Sequence, residues 1–124
     1  MSTRANIKMV EGKSTLWFYR HSDGYPEGAM PLLEKFMDLI KEGKIRNNIS
    51  QSSGWLIMLG AEEYGQDLEK MRKGEDKYSG WKVGSIEPTT GQHGDIEFLY
   101  TIDLVKETIK VKGIDKGLIY NYDL

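Results

Sequence analysis

Cysteine is absent from the chain, which removes disulfide cross-links, thiolate nucleophiles and thiolate-type zinc centres together. A reducing cytoplasm is consistent with that. An excess of charge of one sign is missing as well: 17 Lys and Arg face 19 Asp and Glu, for a formal net charge of -2. The chain therefore lacks the global positive field of a nonspecific nucleic-acid binder, and any anionic partner has to be captured locally. Long apolar runs are lacking too. No stretch approaches the roughly 20 apolar residues that span a bilayer, and MSTRANIKMVEGK carries no apolar export segment, so the expectation is a protein neither embedded in a membrane nor exported.

Against these absences stand 39% hydrophobic residues, 10% aromatic residues, three Trp and seven Tyr. That apolar content is incompatible with a disordered chain, which cannot offset its ordering entropy by burial. With 124 residues, a single domain over residues 1–124 is expected, large enough for one modest core. There is no internal repeat and no low-complexity segment.

The hydrophobic period changes along the chain in an orderly way. Asn6 to Val10 and Thr15 to His21 alternate as short strands around Glu11-Gly12-Lys13-Ser14, which predicts an opening hairpin with a four-residue loop. In the second strand Leu16, Phe18 and Arg20 share one face, and Trp17, Tyr19 and His21 the other. Leu33, Phe36, Met37 and Ile40 recur at helical spacing, with Pro31 suited to the first turn and Gly43 to the stop. Trp55, Leu56, Leu59 and Glu63 predict a second helix that ends near Gly65, with Ser or Gln near its cap. Residues 66–80 are polar and without steady period, as an extended surface segment would be. Trp81 to Glu87, Ile96 to Leu104 and Glu107 to Lys112 return to period two. The expected fold is α+β, a mainly antiparallel sheet with two helices in the order β-β-α-α-β-β-β.

Most of Trp17, Phe18, Tyr19, Trp55, Phe98 and Tyr100 fall inside these patterns and are expected in the core. Met30, Met37 and Met58 read as packing material. Two stretches carry more polar chemistry than a turn requires. One is RHSDGYPEGAMP, with Arg20, His21, Ser22, Asp23 and Tyr25. The other is EPTTGQHGD, with Thr89, Thr90, Gly91, Gln92 and His93, where glycine lets backbone amides approach a ligand and form an anion-binding concavity. The second matches neither standard phosphate-loop pattern, and taken alone it reads first as a hairpin turn in which glycine supplies the positive φ. His21, Asp23 and His93 offer two imidazoles and a carboxylate, but their spacing is no recognised ligand pattern and each has an ordinary turn or strand-end role, so no metal is assigned. Ser22 has no legible base or oxyanion partner and is assigned no catalytic role. Trp81, next to a glycine-flanked segment, is equally suited to stack on a base or to close a strand. Lys110 and Lys112 suit a solvated strand face or a phosphate.

MSTRANI, LWFYRHSDGYPEG ahead of the first helix, the TTGQHG turn and the order of elements together resemble the phage Thoeris anti-defence sponges of the first-described type. The resemblance covers most of the chain. It implies a protein that binds cyclic ADP-ribose-type signals (gcADPR), made from NAD by TIR-domain enzymes, without cleaving them, and in some members cyclic oligonucleotides at a second site. It further implies homo-oligomers, dimers or hexamers built from dimers, with pockets near protomer junctions, acting in the host cytoplasm. No cofactor, no DNA and no membrane are expected. On that footing Trp81 is assigned to stacking, Asp23 and Gln92 to hydroxyls or the base edge, and Arg20, His21, His93 and the Thr89, Thr90 and Gly91 amides to the phosphates. Ser22 and Tyr25 complete the wall, and Lys110 and Lys112 are candidates for the second site. Arg20 shares a face with Leu16 and Phe18, so a structural ion pair is its competing role. Two other classes stay open: a small metal-dependent nucleotide hydrolase using His21, Asp23 and His93, and a protein-interaction module working through aromatic faces.

Overall fold

A computed structural model describes residues 3–74, 83–114 and 119–123, the last group by its backbone. Strands β1 (Ala5–Glu11) and β2 (Ser14–Arg20) form the opening hairpin. Glu11 pairs with Ser14, so the loop is the two residues Gly12 and Lys13 rather than the four expected. Gly12 has φ of +60° at the first loop position, where a two-residue turn of this hand favours glycine.

Helix α1 runs over Pro26–Lys41, beginning five positions before the Pro31 expected in its first turn. Pro26 fills the first-turn role, because its missing N–H falls where no intrahelical acceptor exists. Pro31 is consequently an interior proline, tolerated at the loss of one backbone bond. Gly43 is the stop, with φ of +73°. Helix α2 covers Ile49–Glu63 and is capped by Asn48, whose side chain accepts from the amides of Ser50 and Gln51. The sequence pattern offered Ser or Gln for that cap. Residues 66–74 are not extended: Asp67 accepts from the Glu69 and Lys70 amides and starts the short helix α3, Leu68–Arg72.

The second half supplies β3 (Glu87–Thr89), β4 (Phe98–Asp103), β5 (Thr108–Gly113) and β6 (Ile119–Asp123). β3 begins where the expected Trp81 to Glu87 strand was to end, and β6 was not foreseen. The sheet order is β3-β2-β1-β4-β5-β6. Neighbours are antiparallel except β1 and β4, which run parallel. This is the expected α+β architecture, a mixed and mostly antiparallel sheet with two main helices.

Alternation along the strands decides where the core lies. Ala5, Ile7 and Met9 of β1, Phe18 of β2, Tyr100 and Ile102 of β4, and Ile109 and Val111 of β5 are buried on one face. Leu33, Phe36 and Met37 of α1 and Leu56 of α2 close over that face in the same cluster. Both helices pack on that side of the sheet. Trp55, expected in the core, is instead 48% exposed, as is Met58 at 57%, on the outer side of α2. Among the described residues no helix is long and apolar enough to cross a membrane.

Candidate functional site

Strand parity splits the Arg20-His21 pair to opposite sides of the sheet. Arg20 follows Phe18 to the helix side and is buried. Its guanidinium pairs with Glu63 of α2 at 2.9 Å and donates to the carbonyls of Asp23 and Gly28. This holds the β2–α1 turn against both helices, the structural role left open for it. His21 follows Tyr19 to the other side.

There Tyr19 is the centre of a polar cluster. Its ring stacks on His93, with centroids 4.0 Å apart and planes 18° apart, and meets His21 edge-on at 4.5 Å. His21 Nε2 lies 2.6 Å from Glu87 Oε1, and His93 Nε2 lies 2.8 Å from Thr89 Oγ1. The Tyr19 hydroxyl donates to Asp95 at 2.8 Å, and Arg4 pairs with the same carboxylate at 3.2 Å. A buried Asn6 acts as a bracket: its amide donates to the Phe18 carbonyl, and its oxygen accepts from the His93 backbone N–H at 2.7 Å. The two polar stretches that lie far apart in the sequence are thereby tied together through Tyr19.

Electrostatics follow from that arrangement. The Tyr19 phenol is pushed up from an ordinary 10 to about 12, first by burial and then by its hydrogen bond to Asp95 and that carboxylate's charge. Asp95 is held below the usual carboxylate range, chiefly because Tyr19 donates to it, with Arg4 adding to the effect against some desolvation. The proton thus stays on the phenol and the charge on the carboxylate.

The remaining assigned residues spread around this core. Ser22, Asp23 and Tyr25 form the β2–α1 turn. Asp23 adopts φ of 55°, a conformation that Asp tolerates, and accepts from the Tyr25 hydroxyl at 3.4 Å. Tyr25 precedes the first helical residue of α1. The turn is pinned from below, since Gly24 donates to the Thr3 carbonyl and accepts from the buried Tyr100 hydroxyl at 2.7 Å. A side chain at Gly24 would stand 2.9 Å from Ala5 Cβ, which is why this position is glycine. Thr90 and Gln92 are exposed, while Thr89, Gly91 and His93 are half-buried. Trp81 lies outside the described residues. Lys110 and Lys112 are exposed on the helix-free face of β5, on the far side of β1 and β4 from β2.

Asn6, Tyr19, Glu87 and Asp95 were not among the assigned site residues. Parity alone placed Tyr19 beside His21, and that was the available signal. Among the described residues no group of three or more His, Cys, Asp or Glu side chains is arranged to hold a metal ion. The cluster can offer a phosphate or hydroxyl two imidazoles, exposed loop amides and carboxylate acceptors, all on one side of the sheet edge. Comparison with protein-family models, with curated proteins and with solved structures finds no match to this chain.

Proposed function

We propose that this chain binds and retains a cyclic ADP-ribose-type nucleotide (gcADPR) without converting it, sequestering the signal for a phage in the host cytoplasm. The observation that carries this is the junction at Tyr19, where both polar stretches meet. A cyclic ADP-ribose presents an adenine face, ribose hydroxyls and a pyrophosphate. Its receptor needs an aromatic surface, carboxylate or amide acceptors and cationic or N–H donors within one patch. His21 and His93 at the junction, with Gln92 and the Thr90–Gly91 amides beside it, are the proposed donors; Asp23, in the turn that Arg20 and Tyr100 anchor from the helix side, is the proposed acceptor, and Trp81 the proposed stacking surface.

Sequestration works by stoichiometry, so slow release matters more than fast capture, and a preformed pocket favours it. The bracket made by Asn6, the stack of His93 on Tyr19 and the anchoring of Gly24 all hold the two loops in place before any ligand arrives. Homo-oligomerisation, as dimers or hexamers, belongs to the same proposal. It is supported by the outer side of α2, where Trp55 and Met58 stand exposed. A second site for cyclic oligonucleotides at Lys110 and Lys112 is part of it as well.

The test is recovery of the ligand. Protein mixed with gcADPR, freed of unbound nucleotide and heat-denatured should return the intact molecule by mass spectrometry, and Asp23→Ala with Gln92→Ala should return none while keeping the wild-type fold. An opened or hydrolysed product would point to the hydrolase class. A stable host-protein complex with no nucleotide retained would point to the interaction module, which the exposed groove of Met58, Leu68, Met71 and Val83 also suits.

A further inference from the structure

Strand β3 covers only Trp17, Phe18 and Tyr19 of β2. Its middle residue, Pro88, has no N–H and sits between the two positions that bond to β2, so the outer side of β3 is blocked to any further strand. The rest of the β2 edge has no such guard. Trp17 and Tyr19 bond outward to β3, and alternation makes Thr15 the next residue to point that way. The two-residue loop agrees, because Glu11 and Ser14 bond across the hairpin, which turns Leu16 inward to β1 and Thr15 outward. Among the described residues none takes the outward N–H or C=O of Thr15. After Thr89 the chain turns back to stack His93 on Tyr19, and Ser14, Thr15 and Leu16 are left exposed. Beside them is an apolar groove of about 240 Å³ walled by Leu16, Ile57 and Pro88. Gly54 of α2 forms its side, and a Cβ there would meet nothing within 4 Å, so the groove has room for an incoming side chain. Lys13 stands exposed at the hairpin end and is in no ion pair among the described residues. Glu11 does not neutralise it, since that carboxylate accepts from the Ile49 amide of α2.

We propose that the open β2 edge at Ser14, Thr15 and Leu16 docks an extended segment of a partner protein, apolar at one end and acidic at the other, which adds as a strand antiparallel to β2 in line with β3. Its apolar residue is opposite Leu16 and fills the groove. The next residue exchanges both backbone bonds with Thr15, as one residue does in an antiparallel pair, and a carboxylate two positions further on meets Lys13. The unpaired backbone selects an extended chain, and charge complementarity to Lys13 selects its acidic end. None of the Tyr19 junction, the β5 lysines or the Trp55 side of α2 is used, so this docking edge and the nucleotide reading can each fail without the other.

Amide NMR of the isotope-labelled full chain, titrated with the end-capped peptide Ser-Leu-Val-Ser-Asp-Ser and no nucleotide, tests it. Saturable shifts are expected at Thr15, Leu16 and Ile57, with slowed hydrogen exchange at the Thr15 amide. Methylating the peptide's valine nitrogen, which donates to the Thr15 carbonyl, should weaken binding about tenfold. Methylating the serine nitrogen that follows it, which points away from β2, should change little. Thr15→Pro removes the outward donor and no bond to β1, and should also cost about tenfold. Lys13→Glu should cost about threefold, as an exposed ion pair does. The absence of saturable shifts, equal effects of the two methylations, or shifts centred on Trp55 and Met58 in place of Thr15 would overturn the proposal.

Discussion

Replacing Tyr19 with Phe keeps the ring that stacks on His93 and removes only the hydroxyl that donates to Asp95. At neutral pH the loss should be small. Asp95 is 46% exposed, so water replaces the missing donor, and the benzyl ring leaves no buried polar orphan; about 1 kcal/mol is the expected cost. Alkaline pH reverses the order. The native phenol ionises at about 12 against an ordinary 10. At roughly 1.4 kcal/mol per tenfold change in ionisation, folding therefore gains about 3 kcal/mol from keeping it neutral. Because the folded value is the raised one, that gain is complete below pH 10 and is lost as pH climbs towards 12. The Phe variant has no such group, so the two stability curves should approach and cross near pH 11, about where the wild type has lost the ~1 kcal/mol that separates them. Urea unfolding of both proteins at stepped pH measures this directly, and the difference in tyrosinate absorbance between them isolates Tyr19 from the other tyrosines. Parallel stability curves from pH 8 to 12, or a difference titration centred at 10, would refute the account of the junction given above.

Further outcomes follow from the same contacts. Arg20→Met should destabilise the fold by about 2 to 4 kcal/mol by leaving Glu63 and two carbonyls without their donor, while the folded fraction still retains nucleotide; a stable variant that releases ligand would make Arg20 a binding residue. Gly84→Ala should be among the most damaging small changes, since its Cβ would stand 2.4 Å from the Ala61 amide nitrogen and the Gly60 carbonyl oxygen of α2; a loss under about 1 kcal/mol by thermal unfolding would contradict that packing. Asn48→Ala removes the α2 cap and should cost about 1 kcal/mol, lowering the melting temperature by a few degrees. His93→Ala should loosen residues 89–95, seen as faster amide exchange at His93 and its neighbours than at β1.

Much of the fold was readable because local chemistry fixed it. Helix α1 carries a continuous apolar stripe, and Ile102, Tyr100, Ile109 and Val111 alternate cleanly, so periodicity named those elements and their inward faces. Boundaries that depend on a single bond were not readable. Asn48 and Asp67 start helices through side-chain caps that compete with Ser, Gln and loop conformations in any sequence scan. Trp55 sits on a helical repeat with Leu56 and Leu59, yet the helix turns it outward, since periodicity does not say which side of an apolar helix meets the sheet.

Sequence by itself determined the composition limits, the alternation of faces, and the two polar stretches as places with chemistry to spare. It also determined that Arg20 and His21 must diverge, because neighbouring residues of a strand point to opposite sides. Only the tertiary structure decided that β3 adds to the β2 edge and carries Glu87 and Thr89 beside the histidines. Only it made Asn6, Tyr19 and Asp95 the groups that join residues more than 70 positions apart. The physical reason is register: strand pairing across a long loop is set by how the whole core packs, and no local pattern encodes it.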